Sequence, residues 1–198
     1  MTKGIPIPTP QTLLRAQIAE TCVLGRYIIE ALDIQQFEPS LREHTAASSM
    51  VTRILEVLQK QAVSLSAVAE SYPEIRRELQ AQGAAMAGLF PGFVSKMRAR
   101  ALPAMLRNDH SLLNLAATSY TVLHTTGLAL RNFAVSSLAL EHLEQLTPFV
   151  HEIAQMLPSL VIGDLKRVFG SLPPDTIEVA CANTQPAWRQ LTADCLPA

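Results

Sequence analysis

A chain of 198 residues with 16 basic and 17 acidic side chains, formal net charge −1, has room for one well-buried domain. It carries no long-range field to gather nucleic acid. Apolar residues make up 48% of it and aromatic residues only 5%, so Leu, Ala, Val, Ile and Met must fill the interior, as in a helical core.

The opening "MTKGIPIPTPQ" has one lysine and no continuous apolar stretch, so it reads as a cytoplasmic start rather than a secretory signal. Cys22, Cys181 and Cys195 form no CxxC pair, which argues against a disulfide framework or a zinc knuckle and fits a reducing compartment. Residues 1–10 are expected to form a proline-rich arm, 11–170 a helical bundle, and 171–198 a proline-punctuated strap or tail.

After the arm, Leu14, Ile18, Cys22, Ile28 and Leu32 recur at helical spacing and predict a first helix over 11–32. Ser40 with Glu43 three residues on predicts a capping box opening a second helix. Its core face is Val51, Ile54, Leu55, Leu58, Ala62, Leu65, Val68, Ala69 and Tyr72. "SYPE" repeats the start signal with Ser71 as cap, so a third helix follows or the second kinks there. Pro91 opens a short helix carrying Phe93, Val94 and Met97, which Pro103 interrupts, and Asn108 or Asp109 caps the next.

The run Ser111–Leu143 has one formal charge, Arg131, before Glu141. It reads as a helix able to bend at His124–Gly127. Thr147 and Pro148 then open another helix, Pro158 ends it, and a further one reaches Gly170. Asp175 precedes one short helix, and Trp188 is expected to anchor the tail. No repeat and no alternating strand pattern is visible, so the fold class is all-α: a single-domain bundle of about five to seven helices around a charge-poor central helix.

A spanning helix needs about 20 predominantly apolar residues. The charge-poor run is long enough, yet Asn114, Ser119, Tyr120, Thr121, His124, Thr125 and Thr126 interrupt it, which favours a buried bundle helix. Lys96, Arg98, Arg100 and Arg107 form a basic, apolar segment that can lie on an anionic surface or a partner, or simply be solvated.

Catalytic signatures are sparse. No glutamate has a histidine three residues on, "HEIAQ" has Gln155 where a zinc helix needs histidine, and there is no phosphate-cradling loop or G-x-S-x-G elbow. Glu141, His142, Glu144, His151 and Glu152 crowd one stretch but fall on different helix faces, so no metal site is assigned. Tyr120, His124 and Arg131 share a helix face that can line a pocket for a carboxylate-bearing apolar ligand; the plain alternative is a core histidine bonded to a neighbouring carbonyl.

These observations lead to a non-enzymatic, cytoplasmic bundle acting by binding another protein, as an adaptor, chaperone-like or inhibitory partner does. The competing readings are a ligand-binding or cofactor-dependent helical enzyme with its pocket around His124 and, more weakly, a membrane-active protein. No cofactor is identified and nucleic acid is not an expected partner. A membrane is disfavoured, and a homo-oligomer is open.

Overall fold

This computed structural model describes residues 9–85 and 101–193, the side chains of 189–193 excepted. The described residues form helices and turns without a strand. The helices are α1 (Pro10–Gln35), α2 (Pro39–Arg42), α3 (Thr45–Glu70), α4 (75–85), α5 (Leu102–Ala129), α6 (Phe133–Phe169) and α7 (Thr176–Ala193). The all-α bundle expected from composition is therefore what the chain forms. Among the described residues no helix is long and apolar enough to cross a membrane.

Helix α1 starts where Thr9 Oγ1 accepts the Thr12 amide at 3.2 Å and Pro10 supplies a first turn that needs no amide. Leu14, Ile18, Ile28 and Leu32 are buried on the face the spacing indicated. The Ser40–Glu43 capping box does not form. Pro39 sets a single turn beginning before Ser40, which places Ser40 inside that turn, and the chain restarts at Thr45 with His44 Nδ1 accepting the Ala47 amide at 3.2 Å.

The core face of α3 is as expected at Val51, Ile54, Leu55, Leu58, Leu65 and Ala69. Ser71 ends α3 instead of starting the next helix: its hydroxyl donates to the Val68 carbonyl at 2.6 Å. Glu74 then takes φ 65°, held by Arg15, which reaches the Pro73 carbonyl at 3.2 Å and the Glu74 carboxylate at 3.6 Å.

The expected short helix over Phe93–Met97 lies outside the described residues. Pro103, expected to interrupt a helix, sits in the first turn of α5, where its missing amide costs nothing. Asn108 and Asp109 are inside α5 and cap nothing. Nor does α5 break at His124–Gly127. It runs to Ala129, and the charge-poor stretch folds into the facing halves of an α5–α6 hairpin.

The hairpin turn is closed by two backbone bonds, Asn132 amide to Gly127 carbonyl at 2.8 Å and Arg131 amide to Leu128 carbonyl at 3.0 Å, with Arg131 at φ 54°. This is the Schellman pattern, here with arginine where glycine is usual. Asn132 caps α6 through the Val135 amide at 3.2 Å and donates to the Tyr72 hydroxyl at 2.6 Å, tying the turn to the segment after α3. Gly127 has a different task from bending: a Cβ there would stand 2.9 Å from the Ser136 nitrogen and 3.0 Å from its Cα. The two helices cross backbone to backbone.

Helix α6 runs 37 residues straight through Pro148 and Pro158, both expected as boundaries. Each proline removes one backbone bond. The buried residues around them, Leu146, Phe149, Ile153, Ala154 and Leu160, hold both flanks against the bundle, so the helix continues. Gly170, at φ 81°, ends it.

Helix α5 has 28 residues to the 37 of α6. Counting outward from the Gly127–Ser136 contact brings the start of α5 level with Leu160 and Val161, so the last turns of α6 run past it. The tail is more ordered than the one short helix expected. The 18-residue α7 turns back on α6, and Trp188 meets His110 of α5 edge-on at 5.0 Å between ring centroids.

Replacing Gly127 by alanine should raise local helix propensity by about 1 kcal/mol. It should also press a methyl into backbone atoms that cannot step aside, at a cost of about 1 to 3 kcal/mol. The expected outcome is a lower urea midpoint; an equal or higher one would contradict the backbone contact.

Candidate functional site

Among the described residues, two polar constellations stand out inside the bundle. The larger joins α3, α5 and α6 around His142, which is buried. Its Nε2 is 2.9 Å from Ser64 Oγ, its carbonyl accepts from Gln61 Nε2 at 3.1 Å, and its ring meets the Tyr120 ring edge-on at 5.0 Å. Gln61 also donates to Gln145 Oε1 at 3.0 Å.

A serine beside a histidine invites a nucleophile reading, but the hydrogen positions argue against it. The Ser64 hydroxyl has the Gln61 carbonyl at 3.1 Å as its acceptor, so it receives the His142 Nε2–H rather than giving up its own proton. The basic lone pair then sits on Nδ1, buried and without a partner, facing away from the serine. No carboxylate orients the ring as a triad requires. Burial also lowers His142 to about 4, a poor base near neutrality.

Beside it, burial raises the Tyr120 phenol well above its ordinary value, with the Cys22 thiol adding to the rise. Burial pushes Cys22 up to about 11 despite the partial opposing pull of Arg26, so that thiol is unreactive. The smaller constellation is Asp109 on α5, buried, with Oδ2 accepting from Gln35 Nε2 at 2.7 Å and Oδ1 unpartnered. Desolvation raises its carboxyl to about 7, only partly offset by the Gln35 bond.

The three residues singled out as a pocket lead to different partners. Tyr120 is buried against His142. His124 is half-buried, its Nδ1 2.9 Å from the Ser136 carbonyl and 3.0 Å from the Ser136 hydroxyl, and Arg131 is exposed in the hairpin turn. Of the basic set, Lys96, Arg98 and Arg100 lie outside the described residues, whereas Arg107 is exposed on α5. The acidic and histidine crowd after Glu141 is dispersed: Glu141 accepts from Gln145, Glu152 pairs with Arg53, and His142 is in the core. Among the described residues no group of three or more His, Cys, Asp or Glu side chains can hold a metal ion.

The feature that sequence reasoning missed is at the free end of the hairpin. Pro103 and Ala104 on α5 face Leu157, Val161, Leu165 and Val168 on α6 across an aliphatic groove of about 410 Å³. Val161 is 42% exposed, Leu165 38%, Val168 74% and the adjoining Phe169 69%. Arg107 and Asp164 stand on its two walls. The spacing of Leu157, Val161, Leu165 and Val168 was visible as a helical stripe. What no stripe shows is that α5 stops short of it.

The two buried titrating groups pull stability in opposite directions. Between pH 4 and 6.5 the native state keeps a proton on Asp109 that the unfolded chain has lost, so this group makes stability fall by up to about 1.4 kcal/mol per pH unit as pH rises. Over the same range the native state has released from His142 a proton the unfolded chain still binds, so that group makes stability rise at a similar rate. His110, lowered by burial and then by His151, adds to the rising arm. Urea titrations across this range should therefore show Asp109→Asn gaining stability with pH more steeply than the parent, and His142→Gln losing it toward pH 7. Parallel curves for all three proteins would contradict both assignments.

His124→Gln should cost about 1 to 3 kcal/mol by losing the Ser136 bond. It should leave any response to carboxylate ligands or divalent metals unchanged in unfolding experiments. A variant as stable as the parent but blind to a ligand that stabilises the parent would restore the pocket reading.

Compared with known proteins, the chain matches no family model, no curated protein and no solved structure.

Proposed function

We propose that this chain is a non-enzymatic helical bundle that works by binding another polypeptide through the aliphatic groove at the free end of the α5–α6 hairpin. One observation carries the reading: the longest helix overshoots its partner, and the overshoot presents Val161, Leu165, Val168 and Phe169 outward. Contiguous exposed aliphatic surface rimmed by charge is the ordinary mark of a protein contact. The polar groups that look most like catalytic machinery are buried, and their proton positions do not suit acid–base chemistry.

A second reading, a ligand-binding bundle, is favoured by a cleft of about 710 Å³ between α1, α3 and α4 with Cys22, Tyr72 and Ile75 on its walls. That volume suits a small molecule. Its charges, Arg26 and Arg76 against Glu70 and Glu74, oppose one another and select no ligand sign. The pocket reading thus moves away from His124 and has less behind it than the groove.

A photoreactive phenylalanine analogue placed at Leu165 tests the proposal against the same analogue at Val63, which is 73% exposed on α3. Irradiation in cells should give a discrete polypeptide adduct at Leu165 that Val161→Glu abolishes, and none at Val63. Equal adduct yields at the two positions, or an adduct indifferent to Val161→Glu, would sink the reading.

A further inference from the structure

We infer that the groove's occupant is a second copy of this chain, docked about a two-fold axis. The inference rests on the groove being a protein-binding surface and adds the identity of the partner.

A two-fold contact requires one surface to complement itself, since whatever residue i meets in the partner must meet residue i in return. The groove has that property in shape. Pro103 and Ala104 are small and leave a trough, while Val168 projects beside it at 74% exposure, so each copy carries both a ridge and a trough. Leu157, Val161, Leu165 and Val168 advance along α6 by four, four and three residues, which makes one continuous aliphatic stripe that a copy turned about the trough axis meets with its Pro103–Ala104 wall.

The charges agree with this. Arg107 on the α5 wall and Asp164 on the α6 wall are one cation and one anion on opposite sides of one trough. A two-fold axis along the trough sets the Arg107 of each copy toward the Asp164 of the other and makes the same pair twice. A partner of single charge sign, such as an acidic peptide or an anionic lipid surface, would match Arg107 and make no new pair with Asp164. The present neighbour of Asp164 is Arg167, at 3.0 Å, on the same helix and 80% exposed. Such a pair is weak and yields readily to a less solvated one.

Sedimentation of the full chain from micromolar to near-millimolar concentration, with Arg107→Asp, Asp164→Arg and the double exchange, decides the matter. The parent should pass from monomer to dimer. Each single reversal should weaken association by about tenfold or more, and the double exchange should recover most of it. Helical circular dichroism and urea midpoints matching the parent would show that the variants are folded. A parent that stays monomeric throughout, a double exchange no better than the singles, or a monomer that binds phosphatidylserine vesicles through these residues would overturn the second copy as occupant. If the chain is monomeric while the Leu165 adduct with another polypeptide persists, this inference fails and the binding proposal stands; if the adduct is also missing, both fail.

Discussion

The arrangement of the hairpin depends on one close approach between two backbones. Gly127 lies so near Ser136 that even a methyl group has no room, and this approach fixes how α5 and α6 lie along their whole length. Three polar links gather at the same end: the Schellman bonds through Arg131 and Asn132, the Asn132–Tyr72 bond, and the His124–Ser136 bond. With the register set at the turn, the other end of the hairpin follows by length alone. Helix α6 outlasts α5, and its final turns have no α5 opposite them.

The same geometry separates the polar interior from the exposed groove. Gln61, Ser64, His142 and Gln145 bond to one another across α3 and α6, as buried polar groups must if they are not to be costly. Within this layer the buried atoms without a bonding partner are Gln61 Oε1 and His142 Nδ1, both acceptors. A buried orphan acceptor is more easily tolerated than a buried orphan donor. At the groove the situation is reversed: the surface is aliphatic, open and edged by one charge of each sign.

Much of this was legible in the sequence and some of it was not, for reasons that can be named. The core faces of α1 and α3 followed from periodicity because Ile18, Ile28, Ile54 and Leu58 repeat at a spacing only a helix satisfies. The helix boundaries failed where a local signal met tertiary packing. Pro148 and Pro158 carry a local penalty of about 3 kcal/mol each, yet burial of Leu146, Phe149, Ile153 and Leu160 on their flanks outweighs it. Asp109 resembled a cap because caps and rare buried acids are the same residue type. Gly127 resembled a hinge because sequence does not reveal that another backbone lies against it. Tyr120, His124 and Arg131 do share a helix stripe, but the stripe crosses from core to turn, so their contacts diverge.

We propose that two copies of this chain meet at the free end of the α5–α6 hairpin. Methyl resonances of leucine and valine in the full chain, followed from dilute to concentrated solution, test it most directly. Leu157, Val161, Leu165 and Val168 should shift together along one binding curve while Leu112, Leu113 and Leu146 in the hairpin core stay fixed. Groove methyls that do not move at any concentration, or changes spread evenly between groove and core, would contradict the account.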